Sequence, residues 1–117
     1  MTHFKLSEFD SPDLKGSGQL MDETFLSMIE EARAKANIPF KINSGYRTAA
    51  HNKKVGGVKG SSHTRGLACD ISCVDGNSRF IIINALLDVG FNRIGVYRTF
   101  IHCDIDNDKP RNVIWYS

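Results

Sequence analysis

Apolar residues recur at helical spacing in DETFLSMIEEARAKAN, at Phe25, Met28, Ile29, Ala32 and Ala36. That spacing puts them on one face of a helix, and Asp22 stands where an N-cap belongs. The pattern predicts a helix over 23–36, and Pro39 blocks its continuation. Upstream, 4–20 reads as irregular chain broken by Pro12, Gly16 and Gly18. PFKIN (39–43) predicts a short strand, and TAAHNKKV (48–55) a short helix ended by Gly56, Gly57 and Gly60. In LACDISC (67–73) the period drops to two. Leu67, Cys69, Ile71 and Cys73 point one way, and Ala68, Asp70 and Ser72 the other. NSRFIIINALLDVG predicts a buried helix over 77–90 that Gly90 ends. RIGVYR (93–98) and FIHCDID (100–106) predict a hairpin, and NVIWYS (112–117) a last strand. The expected fold class is α+β, with a mostly antiparallel sheet and flanking helices.

A chain of 117 residues fits one domain, 1–117, around one core. Its net charge of +2 is too small to call for nucleic acid or a membrane as partner. Lys53, Lys54, Lys59 and Arg65 read as a solvated rim, because no aromatic platform is interleaved with them. No apolar run approaches the length of a membrane span, and MTHFKLSEFD lacks the apolar core of an export signal. Cys69, Cys73 and Cys103 are too few for a disulfide framework and lack C-x-x-C spacing, so they are expected in the core.

The polar faces of two strands carry the chemistry. Ile101, Cys103 and Ile105 share one face of FIHCDID, which leaves His102, Asp104 and Asp106 on the other. Asp70 lies on the polar face of a strand that reads as buried, where a carboxylate must be paired or bound to a cation. The partner is either Arg47, Arg65 or a metal ion. His63, in the turn SSHTRG, completes a set of two imidazoles and a carboxylate, which zinc takes. Three protein ligands leave a fourth position open, as in catalytic zinc sites. The plainer alternative is a solvated turn histidine and an aspartate in a salt bridge.

Ser61, His63, Gly66, Ala68 and Asp70 fill S-x-H-x-x-G-x-A-x-D. This pattern resembles the signature of the zinc D-alanyl-D-alanine carboxypeptidase family, which includes related peptidoglycan endopeptidases such as phage endolysins. SGYRT (44–48), HNKKVGG (51–57), IHCDID (101–106) and the late Trp115 are similar to the same family and stand in its order. The resemblance implies a hedgehog/DD-peptidase-like fold and zinc held by His63, Asp70 and His102. It implies that Arg47 binds a peptide carboxylate or carbonyl oxygen, with Tyr46 and Ser61 lining the cleft. The implied partners are peptidoglycan stem peptides, met by a monomer. With no visible signal, a phage or prophage enzyme made in the cytoplasm and acting on the cell wall is expected.

One departure from the family matters. Many relatives carry an acid three positions before the last histidine ligand, where this chain has Thr99. Asp104, on the same strand face as His102, is expected to serve as base, directly or by orienting that ligand. The alternative has Asp104 merely pairing with Arg47, while His51 and Asp106 are weaker candidates for the base. A non-catalytic zinc-containing binding module of the hedgehog-like fold is the rival reading.

Overall fold

Three helices and five strands form in the computed structural model, which describes residues 1–117. Helix α1 spans Glu23–Ala36 and buries Phe25, Ile29 and Ala32. The Asp22 carboxylate accepts the Phe25 N–H at 2.9 Å and so satisfies a donor that the first turn leaves free. Helix α2, Ala49–Lys54, is capped by Thr48, and helix α3, Gly76–Asp88, by Asp75. Gly90 follows α3 at φ 104°, a conformation that glycine adopts without a Cβ penalty.

The strands are β1 (Ile42–Ser44), β2 (Ala68–Ser72), β3 (Arg93–Val96), β4 (Phe100–Asp104) and β5 (Val113–Tyr116). They form one sheet in the order β1-β2-β4-β3-β5. Every neighbouring pair is antiparallel except β3–β5, which is parallel. The α+β class and the hairpin of β3 and β4 agree with the sequence pattern. Two details differ. The first strand is shifted toward Ser44: Pro39 has no N–H to give, and the Phe40 side chain turns into the core. Segment 4–20 makes two short 3₁₀ turns, Leu6–Phe9 and Ser17–Leu20, and it contributes to the core. Phe4 packs edge-on to Phe9, with ring centroids 5.5 Å apart, and also meets Phe40.

Helices α1 and α3 pack together, and their buried residues join the apolar side of the sheet in one cluster. Cys69, Cys73 and Cys103 lie in that cluster, as the alternation predicts. Cys69 and Cys103 are cross-strand partners with their sulfurs 3.8 Å apart. Because side chains alternate, the next position on each strand faces away from the core. There the register lines up Ser44, Asp70, His102, Gly95 and Trp115 in one row across all five strands. This row is the floor of the site.

Candidate metal centre

His63 enters from outside the sheet, on a short 3₁₀ turn, Ser62–Arg65. Ser61 caps the turn, its hydroxyl accepting the His63 N–H at 3.3 Å, and Gly66 ends it at φ 70°. The His63 carbonyl accepts the Arg47 N–H at 3.1 Å, which ties the turn to the segment after β1. The Nδ1–H of His63 donates to the Gly45 carbonyl at 2.8 Å. That bond fixes the tautomer and leaves Nε2 as the free donor atom, 3.4 Å from Asp70 Oδ1.

His102 Nδ1 lies 3.0 Å from the same Asp70 oxygen, and its Nε2 lies 2.7 Å from Asp104 Oδ2. One ligand atom from each of His63, Asp70 and His102 falls within 4.8 Å of the other two. Two imidazole nitrogens and a carboxylate oxygen, converging at an open cleft, form a donor set that suits zinc. The structure thus places the three sequence-predicted ligands together, and the residues fit the metal.

The electrostatics follow from that convergence. Burial pushes the Asp70 carboxyl up, but hydrogen bonds from His102 and His63 outweigh it and hold the group well below the usual carboxylate range. Burial pushes His102 down, but Asp104 and Asp70 outweigh it and raise the imidazolium to about 9. Without metal, a proton on Nδ1 takes the place a cation would fill between His102 and Asp70.

Asp104 is almost wholly buried, and both its oxygens are engaged. Oδ2 faces His102, while Oδ1 accepts from Arg93 Nε at 2.8 Å and from the Asp106 N–H at 3.0 Å. Its ionic partner is therefore Arg93 and not Arg47, because Arg93 stands beside it on the neighbouring strand. Arg47 turns to Asp70 instead, Nη2 donating to Oδ2 at 3.3 Å. Arg65, the other partner considered for Asp70, pairs with Asp106 and Asp108. Asp106 lies beyond the end of β4, where the chain has left the strand, so it does not share the face of His102. Its carboxylate accepts from Ser62, at 2.6 Å, and from Arg65.

These side chains open onto a cleft of about 470 Å³. Ser61 and Arg47 line it, as do the three ligands. Tyr46 does not: extended chain sends neighbouring side chains to opposite sides, so Tyr46 packs against the core while Arg47 faces the cleft. His51 is not among the lining residues either.

Residues 2–104 match the family model for Peptidase M15. The chain belongs to the Peptidase M15 family. It is thus a metallopeptidase, of a family whose members are zinc enzymes of the DD-peptidase type. No curated protein matches the chain. The match ends at Asp104, so the cleft residues Lys109 and Trp115 of this M15 peptidase lie beyond it.

Around the metal centre, Arg93, Gly95 and Asn52 escaped the sequence reading. Arg93 had a signal, since Arg93, Gly95 and Tyr97 alternate with Ile94 and Val96 as the polar face of β3. Gly95 leaves space over which the Trp115 ring lies, and a Cβ there would come within 2.6 Å of the indole. Asn52 lies within HNKKVGG, but nothing in that stretch singles it out. It is buried, its Oδ1 accepts from Arg47 Nη1 at 3.2 Å, and its Nδ2 donates to the Val58 carbonyl at 2.9 Å. It therefore joins Arg47 to the glycine loop at the cleft rim, where a Cβ on Gly57 would meet Asn52 Oδ1 at 2.0 Å.

Proposed function

We propose that this chain hydrolyses peptides of bacterial peptidoglycan at a bond involving D-alanine, as a carboxypeptidase or an endolysin-type endopeptidase. We also propose that it acts as a monomer, made in a host cytoplasm as a phage or prophage lysis enzyme. The observation that carries the reading is the meeting of His63, Asp70 and His102 in a cleft that also presents an arginine. When bound, zinc polarises the scissile carbonyl and makes water a nucleophile near neutral pH.

The remaining work falls to the chain's own groups. Ser44, Asn52 and Asp70 take one N–H each from Nε, Nη1 and Nη2 of Arg47. One N–H on each terminal nitrogen is left for a carboxylate or a developing oxyanion, which a planar fork suits. Asp104 acts by orienting His102, holding Nε2 so that Nδ1 faces the metal position. Glycines 56 and 57 and Ser61 let the peptide backbone approach closely.

Digesting purified peptidoglycan with the zinc-loaded protein, with and without chelator, tests the reading. Mass spectrometry should find chelator-sensitive release of D-alanine or of new peptide ends, and intact wall in both arms rejects it. A second reading, a non-catalytic zinc module, is favoured by Thr99 and by the full engagement of Asp104, which leave no free acid beside the ligands. Stem peptides bound but never cut would select it.

A further inference from the structure

The charge balance of the cleft is lopsided. Apart from the two histidines at the metal position, its charged lining side chains are the cations Arg47, Arg93 and Lys109, against the carboxylates Asp70 and Asp104. Arg93 is spent on Asp104, the Pro110 carbonyl and the face of Trp115. Arg47 is shared among Ser44, Asn52 and Asp70. Arg47 keeps one N–H on each terminal nitrogen for a first carboxylate, and Lys109 is a further cation with capacity left, on a different segment, in the turn after β4.

Lys109 is held, not free. Its Nζ donates to Ser62 Oγ at 2.9 Å and lies 3.6 Å from Asp106 Oδ2. Behind it, Asp106 is 1% exposed and already accepts from Ser62, Arg65 and the Asp108 N–H. Arg65 holds Asp106 from the side away from the cleft, together with Asp108, so Asp106 keeps a cation of its own whatever Lys109 does on the cleft side. Neither Asp106 nor Asp108 lines the cleft, whereas Ser62 and Lys109 both do. A ligand in the cleft meets an ammonium with its carboxylate partners turned away. Of its three N–H groups, one goes to Ser62, one is within reach of Asp106, and one is unassigned.

We propose that Lys109, fixed by Ser62 and Asp106, is a specificity-determining residue that binds a second carboxylate of the peptide substrate. This carboxylate belongs to an acidic residue and is separate from the group met by Arg47. The inference rests on the peptidase reading above, which supplies the substrate class. Lys109 itself lies beyond residues 2–104, which the family model matches.

The test uses the zinc-loaded full chain and two synthetic stem peptides ending in D-Ala-D-Ala. They are identical except that one internal glutamyl carboxylate is replaced by its amide. The acidic peptide should have the lower KM by roughly fivefold at low salt, the worth of one partly exposed ion pair. Half-molar salt should shrink the difference. Lys109→Met should bring the two KM values together, and Lys109→Arg should keep them apart, with thermal melts reporting that each variant folds. Asp106 keeps Arg65 in both variants, and Lys109→Gln is the substitute if the methionine variant is unstable. A folded Lys109→Met or Lys109→Gln that still prefers the acidic peptide overturns the proposal. If neither peptide is cut, calorimetric titration of the same pair separates the two readings. A Kd preference that Lys109→Met removes keeps the subsite and rejects the hydrolase. Equal Kd values in the wild type reject the subsite whatever the activity.

Discussion

His102 stands between two carboxylates, and this sets how protons and metal compete. Its imidazolium is raised to about 9 in the metal-free protein, above the ordinary value near 6.5. A raised histidine stabilises the metal-free fold below its unfolded value, and the contribution is lost as pH rises through about 9. Zinc must displace the Nδ1 proton, so its affinity should climb about tenfold per pH unit through 7 and 8 and level off near 9. Chelator-competition titrations at pH 7 and 8 check this, and equal affinities would contradict it. Asp104 separates by the same readout. If it orients His102, Asp104→Asn should weaken zinc binding by about 10–100-fold. If it takes the proton directly, zinc should stay bound while turnover falls by about 10²–10⁴. Asn52 belongs to another chain of contacts. Asn52→Leu should leave zinc affinity intact and raise KM about tenfold, because Arg47 loses a partner and the Val58 carbonyl its donor. Asn52→Asp, which keeps the acceptor for Arg47, should recover part of that loss in steady-state kinetics.

At the scale of elements, β3 and β5 hold the far wall of the site. The Trp115 indole N–H donates to Tyr97 Oη at 2.9 Å, and its ring centroid lies 5.5 Å from that of His102. Gly95→Ala should push the indole off the strand and destabilise the protein by about 1–3 kcal/mol, seen as a lower Tm and a red-shifted tryptophan emission. A Tm equal to that of the wild type would mean that the wall has room to spare. The elements themselves were largely legible. Helical spacing located α1 to within a residue, because Asp22 and Pro39 punctuate it. Period two gave the facing of β2 and β4, and with it the convergence of Asp70 and His102. What a pattern does not carry is pairing. Nothing in NVIWYS says that it lies parallel to β3, since that depends on how 105–112 crosses the sheet edge.

Over the whole molecule, the site is an interlocking of polar side chains from segments spread along the chain, from Ser44 to Trp115. Local sequence revealed the groups with distinctive chemistry and missed those whose role is defined by a neighbour. Arg93 matters because Asp104 is beside it, Asn52 because Arg47 and Val58 reach it, and Lys109 because Asp106 is satisfied without it. Asp70 and His102 are 32 positions apart, yet they sit opposite each other on paired strands. Such a pair meets only after a long loop has closed, a slow step in folding. An ion that needs both partners is held at full strength only where β2 and β4 are paired, so it acts as a latch across the two strands.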